Sequence, residues 1–345
     1  MRRRTFLAAA CGALARGASA ALGDKVKFGV DLFSLRSQGW TPFELLDYCA
    51  KRGVKVVHFS EIRFIGSLED ANLKRVRAHA ENLGIEVEIG MRSICPSSTM
   101  FDRSQGTAEE QLGRMIHAAR TVGSPIVRAV LGSAEDRASG PGIEGHIENT
   151  VRVLRNMRSR VVDAGLKIAI ENHAGDMQAR ELKMLIEGAG KDFVGACLDS
   201  GNPLWALEDP HLTLETLAPY VLTSHVRDTA VWNTPRGAAV AWTRMGEGNV
   251  GIADYVRKYA QLCPGRALSL EIIVTGARYY NYRDPKLWQA YRNTPAWEFA
   301  RFLALVEKGE PRPDPPRVSK QEAVARERED LEASIAWTHQ LLNKG

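Results

Sequence analysis

Short apolar runs and amphipathic stretches alternate along this chain from about Lys25 to Lys308. Val26–Asp31, Val54–Phe59, Ile85–Gly90, Pro125–Leu131, Ile168–Ile170, Phe193–Leu198, Val221–Val226 and Ala267–Val274 are compact aliphatic runs. Such runs suit strands buried on both faces of a parallel sheet. Between and after them, Thr41–Arg52, Ala71–Leu83, Thr107–Val122, Ile143–Ala164, Gln178–Ala189, His211–Ala218, Ile252–Leu262 and Trp297–Lys308 read as helices. Thr41 and Pro42 form a start signal, and Gly84, Gly123, Gly165 and Gly190 are stops. Eight strand–helix units joined by right-handed crossovers predict the α/β class and a closed (β/α)8 barrel over residues 25–309. Residues 310–345 read as a Pro-rich linker, Glu310–Pro316, and a charged amphipathic helix, Lys320–Asn343. Leu331, Ile335, Trp337, Leu341 and Leu342 give that extra C-terminal helix an apolar side for packing on the barrel.

The residues before the first strand carry a different pattern. Arg3-Arg4-Thr5-Phe6-Leu7, an Ala-rich run and Ala18-Ser19-Ala20 read as a twin-arginine signal peptide over residues 1–20. The expected localisation is therefore periplasmic or extracytoplasmic. Loss of that segment removes four arginines and no acid, which brings the formal charge from +5 to +1. The basicity belongs to the signal, which argues against nucleic acid as a partner. No stretch of about twenty apolar residues predicts stable membrane insertion. Cys49, Cys95, Cys197 and Cys263 are widely spaced and read as small core residues, not as a disulfide framework.

Four of the apolar runs switch to metal-liganding chemistry at their carboxyl ends. Glu171 ends the fifth in Ile-Glu-Asn-His, Asp199 the sixth in Leu-Asp-Ser-Gly-Asn, His225 the seventh in Ser-His-Val-Arg-Asp, and Glu271 the eighth in Leu-Ser-Leu-Glu. The carboxyl ends of barrel strands form the catalytic face. A lone buried acid or histidine at such a place is commonly structural. Two Glu, one Asp and one His on neighbouring strands instead suit one divalent metal per chain, with Mn²⁺ or Mg²⁺ favoured by oxygen and Zn²⁺, Co²⁺ or Fe²⁺ admitted by imidazole.

These motifs, with the Gly246-Glu-Gly248 turn, resemble the xylose isomerase-like TIM barrel superfamily. The similarity runs from about Val26 to Lys308, with the ketohexose 3-epimerase branch of sugar isomerases and epimerases nearest. The resemblance implies that Glu171, Asp199, His225 and Glu271 hold the metal, often Mn²⁺. It also implies that Glu171 and Glu271 exchange protons with a substrate carbon between them. The departures lie in the sugar-gripping residues. Asn202 stands where that branch has His, Val231 where it has Arg, and Met177 where it has Glu, so a free ketohexose is a poor expectation. His173, Asn202, Arg227, Asp228, Glu61 and Trp232 are the expected substrate contacts. The stretches Thr229–Met245 and Thr275–Pro295 are expected as long aromatic-rich loops at the same face.

The expected function is a metal-dependent sugar isomerase or epimerase. It would remove a proton α to a carbonyl of a sugar or keto-sugar and pass through an enediolate. A 3-keto-glycoside lyase would use the same metal and base. An apurinic-endonuclease reading needs histidines at positions occupied by Asn202 and Ala230, and a non-catalytic sugar-binding barrel has no use for paired carboxylates. The expected partner is a small carbohydrate, with a homo-oligomer left open.

Overall fold

The computed structural model describes residues 21–343, so the expected export signal lies outside the described residues. The strands are β1 (Lys27–Asp31), β2 (Val56–Phe59), β3 (Glu86–Ser93), β4 (Ile126–Val130), β5 (Lys167–Glu171), β6 (Val194–Asp199), β7 (Val221–His225), β8 (Asp228–Thr234), β9 (Gly237–Thr243), β10 (Ala267–Leu270) and β11 (Arg278–Tyr280). Strands β1 to β7 pair in sequence order, all parallel, and β10 pairs with β1. The ring closes where Val226 meets Leu270. There the Val226 N–H donates to the Ser269 carbonyl at 2.7 Å and the Glu271 N–H to the Val226 carbonyl at 3.0 Å. This is the expected TIM barrel.

The helices are α1 (Pro42–Ala50), α2 (Asp70–Leu83), α3 (Ala108–Val122), α4 (Ala134–Ala138), α5 (Gly142–Asp163), α6 (Ala179–Ala189), α7 (Pro210–Leu217), α8 (Ile252–Leu262), α9 (Ala296–Lys308) and α10 (Lys320–Asn343). Reciprocal side-chain caps, Thr41 with Glu44 and Thr107 with Glu110, fix the starts of α1 and α3 by satisfying helix N–H groups that have no partner within the helix. Leu73, Val76, Leu112, Leu154, Leu182 and Leu185 bury their side chains fully in the main core. Each such side chain contributes about 1.5–3 kcal/mol relative to exposure.

Two expectations change. The stretch taken as a long loop after β7 is a hairpin, β8 with β9, to which β11 adds a third antiparallel strand. Its sequence mixes Val, Trp and Thr, residues that fit a pleated surface. Helix α9, expected from the sequence as Trp297–Lys308 covering the eighth barrel strand, packs on β8 instead. The C-terminal helix α10 lies against β10 and the turns that flank β1. Its Leu331 and Ile335 are buried, and its Glu327 accepts the Ser37 N–H at 2.9 Å.

The inside of the barrel is polar. Across its width, the Thr223 hydroxyl donates to Glu88 at 2.6 Å and His225 Nε2 lies 2.9 Å from His58 Nδ1. Asp31 and Arg128 share this interior, while Ile126, Ala169 and Cys197 form a small apolar layer. A barrel filled with charges instead of Val and Leu is organised for chemistry more than for packing.

Candidate metal centre and active site

Parallel register sets the positions of the four strand-end residues. Glu171 lies beside Cys197 between β5 and β6, and Asp199 beside His225 between β6 and β7. The β7–β10 closure then brings Glu271 against them. One ligand atom from each of Glu171, Asp199, His225 and Glu271 lies within 4.8 Å of the others. None of the four is more than 7% exposed. His225 Nδ1 stands between two carboxylates, 3.1 Å from Glu171 Oε2 and 3.2 Å from Glu271 Oε2.

Three carboxylates and one imidazole are a donor set that divalent ions take. His225 Nδ1 itself has no hydrogen-bond partner among the described residues. Its other nitrogen faces His58 Nδ1 at 2.9 Å and Asp31 Oδ2 at 3.5 Å. Donation from Nε2–H to His58 Nδ1 keeps Nδ1 as the nitrogen that a metal would take. The residues present therefore fit the expected ion.

Other buried groups aim these ligands. The Asn172 side chain pairs with the Asp199 peptide, donating to its carbonyl and accepting its N–H, both at 2.9 Å. Asp199 Oδ1 accepts the Gly201 and Asn202 N–H groups at 2.7 Å each, and Asn202 Nδ2 reaches Glu171 Oε1 at 3.3 Å. Arg128 Nε donates to Glu171 Oε2 at 2.5 Å. Gly90 makes room for that arginine, since a Cβ there would lie 2.8 Å from the Ser60 carbonyl oxygen and 3.1 Å from Arg128 Cδ. Arg227 donates through Nη2 to both Asp199 and Glu271, at 2.5 Å to the former.

These neighbours set the charge states. Burial opposes ionisation of Glu171, yet Arg128 and then His225 outweigh it and hold the carboxyl well below its usual range. For Glu271, burial is likewise overcome by Arg227 and His225, which bring it down to about 2. Asp199 is pushed up to about 7, because burial there exceeds the pull of Arg227. Burial opposes charge on His225, yet the surrounding acids hold it well above the ordinary imidazole value, so Glu171 and Glu271 flank an imidazolium whose Nδ1 proton a metal would replace.

The remaining expected contacts divide. His173 is half-buried beyond Glu171, and its Nδ1 lies 2.7 Å from the Gly132 carbonyl. Burial holds it below its ordinary value, so it is a neutral imidazole with Nδ1–H donating. Asn202 and Arg227 join the cluster as described. Asp228 is placed elsewhere: its carboxylate accepts N–H groups from Thr229 at 2.8 Å, Gly246 at 3.0 Å and Gly248 at 2.8 Å, which braces the 246–248 turn. Trp232 is buried in a small hairpin core with Ala230, Ala239 and Ala241. Glu61 pairs with Arg63 and lines a cavity of about 470 Å³ with Met91, Gln111 and Arg114. The structure does not bring Glu61, Asp228 or Trp232 into contact with the four ligands.

Sequence reasoning missed Asp31, His58, Glu88, Arg128 and Trp205, although Trp242, on which Trp205 stacks, was among the loop aromatics expected at this face. A lone charged or imidazole group within an apolar strand, such as His58 in Val-Val-His-Phe or Arg128 in Ile-Val-Arg-Ala-Val, was the available signal. Trp205 and Trp242 stack with ring centroids 3.9 Å apart and planes 7° from parallel. Arg278 covers the outer face of Trp205 at 3.7 Å, and Arg227 covers Trp242 at 4.2 Å.

Comparison with known proteins follows this geometry. Residues 44–290 match the sequence profile of the family described as xylose isomerase-like TIM barrel. A 3-oxo-isoapionate decarboxylase from Pectobacterium atrosepticum is 24% identical over 186 residues, covering 54% of this chain and 60% of that protein. This chain therefore spans less than two thirds of that relative's length. The D-psicose 3-epimerase of Clostridium cellulolyticum H10 shares the fold with a TM-score of 0.57 at 13% identity, over 90% of this chain and 99% of that one. The zinc-bound IolI protein does so with a TM-score of 0.58 at 14% identity, over 90% and 98%. With eight parallel strands closed into a ring and most of its length matched, this chain belongs to the xylose isomerase-like TIM barrel family.

Proposed function

We propose that this chain is a divalent-metal-dependent enzyme that moves a proton on the carbon next to a carbonyl of a sugar or keto-sugar, as an epimerase or isomerase. The observation that carries the reading is the placement of two ionised carboxylates, Glu171 and Glu271, on either side of His225 Nδ1, with Asp199 completing the donor set. A divalent ion held by these four residues supplies Lewis-acid stabilisation of the negative charge that develops on the substrate oxygens. One carboxylate takes the proton from the α-carbon, and the C–H electron pair passes into the carbonyl system. The other, once it has taken a proton from solvent, returns it to the opposite face for epimerisation, or the first carboxyl delivers the proton it accepted to the neighbouring carbon for isomerisation. Arg128 keeps Glu171 ionised until it accepts the proton, and Arg227 does the same for Glu271. His173, neutral, and Asn202 stand where they can orient substrate hydroxyls.

A second reading draws on the relative named a decarboxylase. Loss of carbon dioxide from a β-keto acid leaves its electron pair in the same enolate, and a carboxylic acid at Glu171 or Glu271 then protonates carbon.

NMR in D₂O tests both, with Mn²⁺-loaded protein, a panel of ketoses, 3-keto-glycosides and keto-acids, and Glu271→Gln alongside. Solvent deuterium at an α-carbon, reduced at least about a hundredfold in the variant, is the expected result. A chain that binds no divalent ion, or exchange that continues unchanged in Glu271→Gln, refutes the proposal. Release of carbon dioxide from the keto-acid separates the second reading from the first.

A further inference from the structure

Among the described residues, buried polar atoms without a hydrogen-bond partner gather beside the metal ligands. Arg227 is 1% exposed, and its Nη2 is occupied by Asp199 and Glu271. Its Nε and Nη1 have no partner. Trp242 Nε1 and Trp205 Nε1 are likewise unpartnered, and so is Asn202 Oδ1.

These atoms belong to one place. A Cβ on Gly201 would lie 2.5 Å from both Arg227 Cγ and Cδ and 3.0 Å from Trp242 Nε1. The glycine thus lets the arginine stem and the indole edge meet over the Asp199–Asn202 turn. Trp205 stacks directly on Trp242. The arginine is held between the Gly201 backbone and the Trp242 face, so its free edge is positioned by the fold.

Unmade hydrogen bonds cost about 1–3 kcal/mol for each buried group, and native proteins keep few of them without a use. The imbalance here identifies that use. At the Gly201 turn four orphaned N–H-bearing atoms stand against one orphaned acceptor, while His225 Nδ1 and Asp31 Oδ2 are left without a partner at the ligands themselves. A sugar hydroxyl would bring a hydrogen that also needs an acceptor. An ionised acid group accepts only, and its charge suits a guanidinium.

We propose that Arg227, Trp205 and Trp242 bind an acidic group on the substrate, so that the site takes an acidic sugar and not a neutral one. This deepens, and rests on, the proton-transfer reading above. The residues are buried, so entry of the ligand requires the stack of Arg278, Trp205, Trp242 and Arg227 to part. The recognised chemistry is a negatively charged, acceptor-only group, and a carboxylate and a phosphate ester both present it.

Isothermal titration calorimetry on the full chain, with Mn²⁺ content measured in each sample, separates the cases. The probes are D-glucitol, D-gluconate and D-glucitol 6-phosphate, which differ in their charged end. We expect one acidic probe to bind at least about tenfold more tightly than glucitol, the size of one charge-assisted hydrogen bond. Whichever acid is preferred identifies the source. Arg227→Met should abolish the preference while Mn²⁺ remains bound, and Arg227→Lys should keep part of it. Circular dichroism establishes that both variants are folded. Equal binding of all three probes, no binding of any, or a preference that survives in Arg227→Met overturns the proposal. Deuterium exchange with neutral ketoses alongside such a result would leave the proton-transfer reading intact. Acid preference without any exchange would have the opposite meaning.

Discussion

The pairing of Arg128 with Glu171 leads to a quantitative test of how this site is held before a metal arrives. Arg128→Met keeps much of the side-chain stem and removes the charge. The native contact is 2.5 Å long between groups 7% and 1% exposed. Breaking a buried pair on one side leaves an uncompensated charge, at a cost of about 3–5 kcal/mol. For a chain of 345 residues the unfolding entropy is roughly 0.7 kcal/mol per kelvin, so the melting temperature in EDTA should fall by about 4–7 °C. Glu171, no longer paired, should rise toward or above the ordinary carboxylate range, since burial then acts with less opposition. A divalent ion relieves the same carboxylate. At about a hundredfold excess over its dissociation constant it adds roughly 2.7 kcal/mol to any folded chain that binds it equally. Its increment should be larger in the variant than in the wild type. Differential scanning fluorimetry in EDTA and in MnCl₂, over a concentration series, reads both quantities. A variant that melts within about 1 °C of wild type in EDTA, or gains no more from Mn²⁺, would refute the claim that Arg128 supports Glu171 in place of a metal.

Two further outcomes are expected away from the candidate metal ligands. Glu208 accepts the Ala179 N–H at 3.0 Å and the Thr213 hydroxyl at 2.6 Å, and burial pushes its carboxyl up to about 8. A raised acid stabilises the fold while protonated and loses that contribution as pH climbs from its unfolded value towards the folded one. Relative to Glu208→Gln, the wild type should lose on the order of 3 kcal/mol between about pH 5 and about pH 8. Parallel pH dependence in urea titrations of the two proteins would contradict this. Trp232→Ala should cost about 3 kcal/mol by emptying the hairpin core. Its Mn²⁺ affinity should stay within about threefold of wild type by calorimetry, and a larger change would return Trp232 to the site.

The chain by itself determined the barrel, because aliphatic runs of strand length separated by capped amphipathic helices can bury their apolar surface in few ways. It also named the four candidate ligands, since a carboxylate or imidazole closing an apolar strand is a local signal. The hairpin was harder to read. Strand period and loop composition overlap in Ala-Val-Trp-Asn-Thr, and only pairing with β9 and β11 decides the matter. Which charges balance the ligands was decided by tertiary structure alone. Arg128 and Glu171 are 43 residues apart, Arg227 and Glu271 are 44, and His58 and His225 are 167. No sequence window spans such pairs. The inward or outward direction of Asp228 and Trp232 followed the same rule, because one residue of register turns a side chain from the site to the hairpin core or the turn it braces. Sequence thus named the groups with the chemistry, and the closing of the barrel set the distances that make them one site.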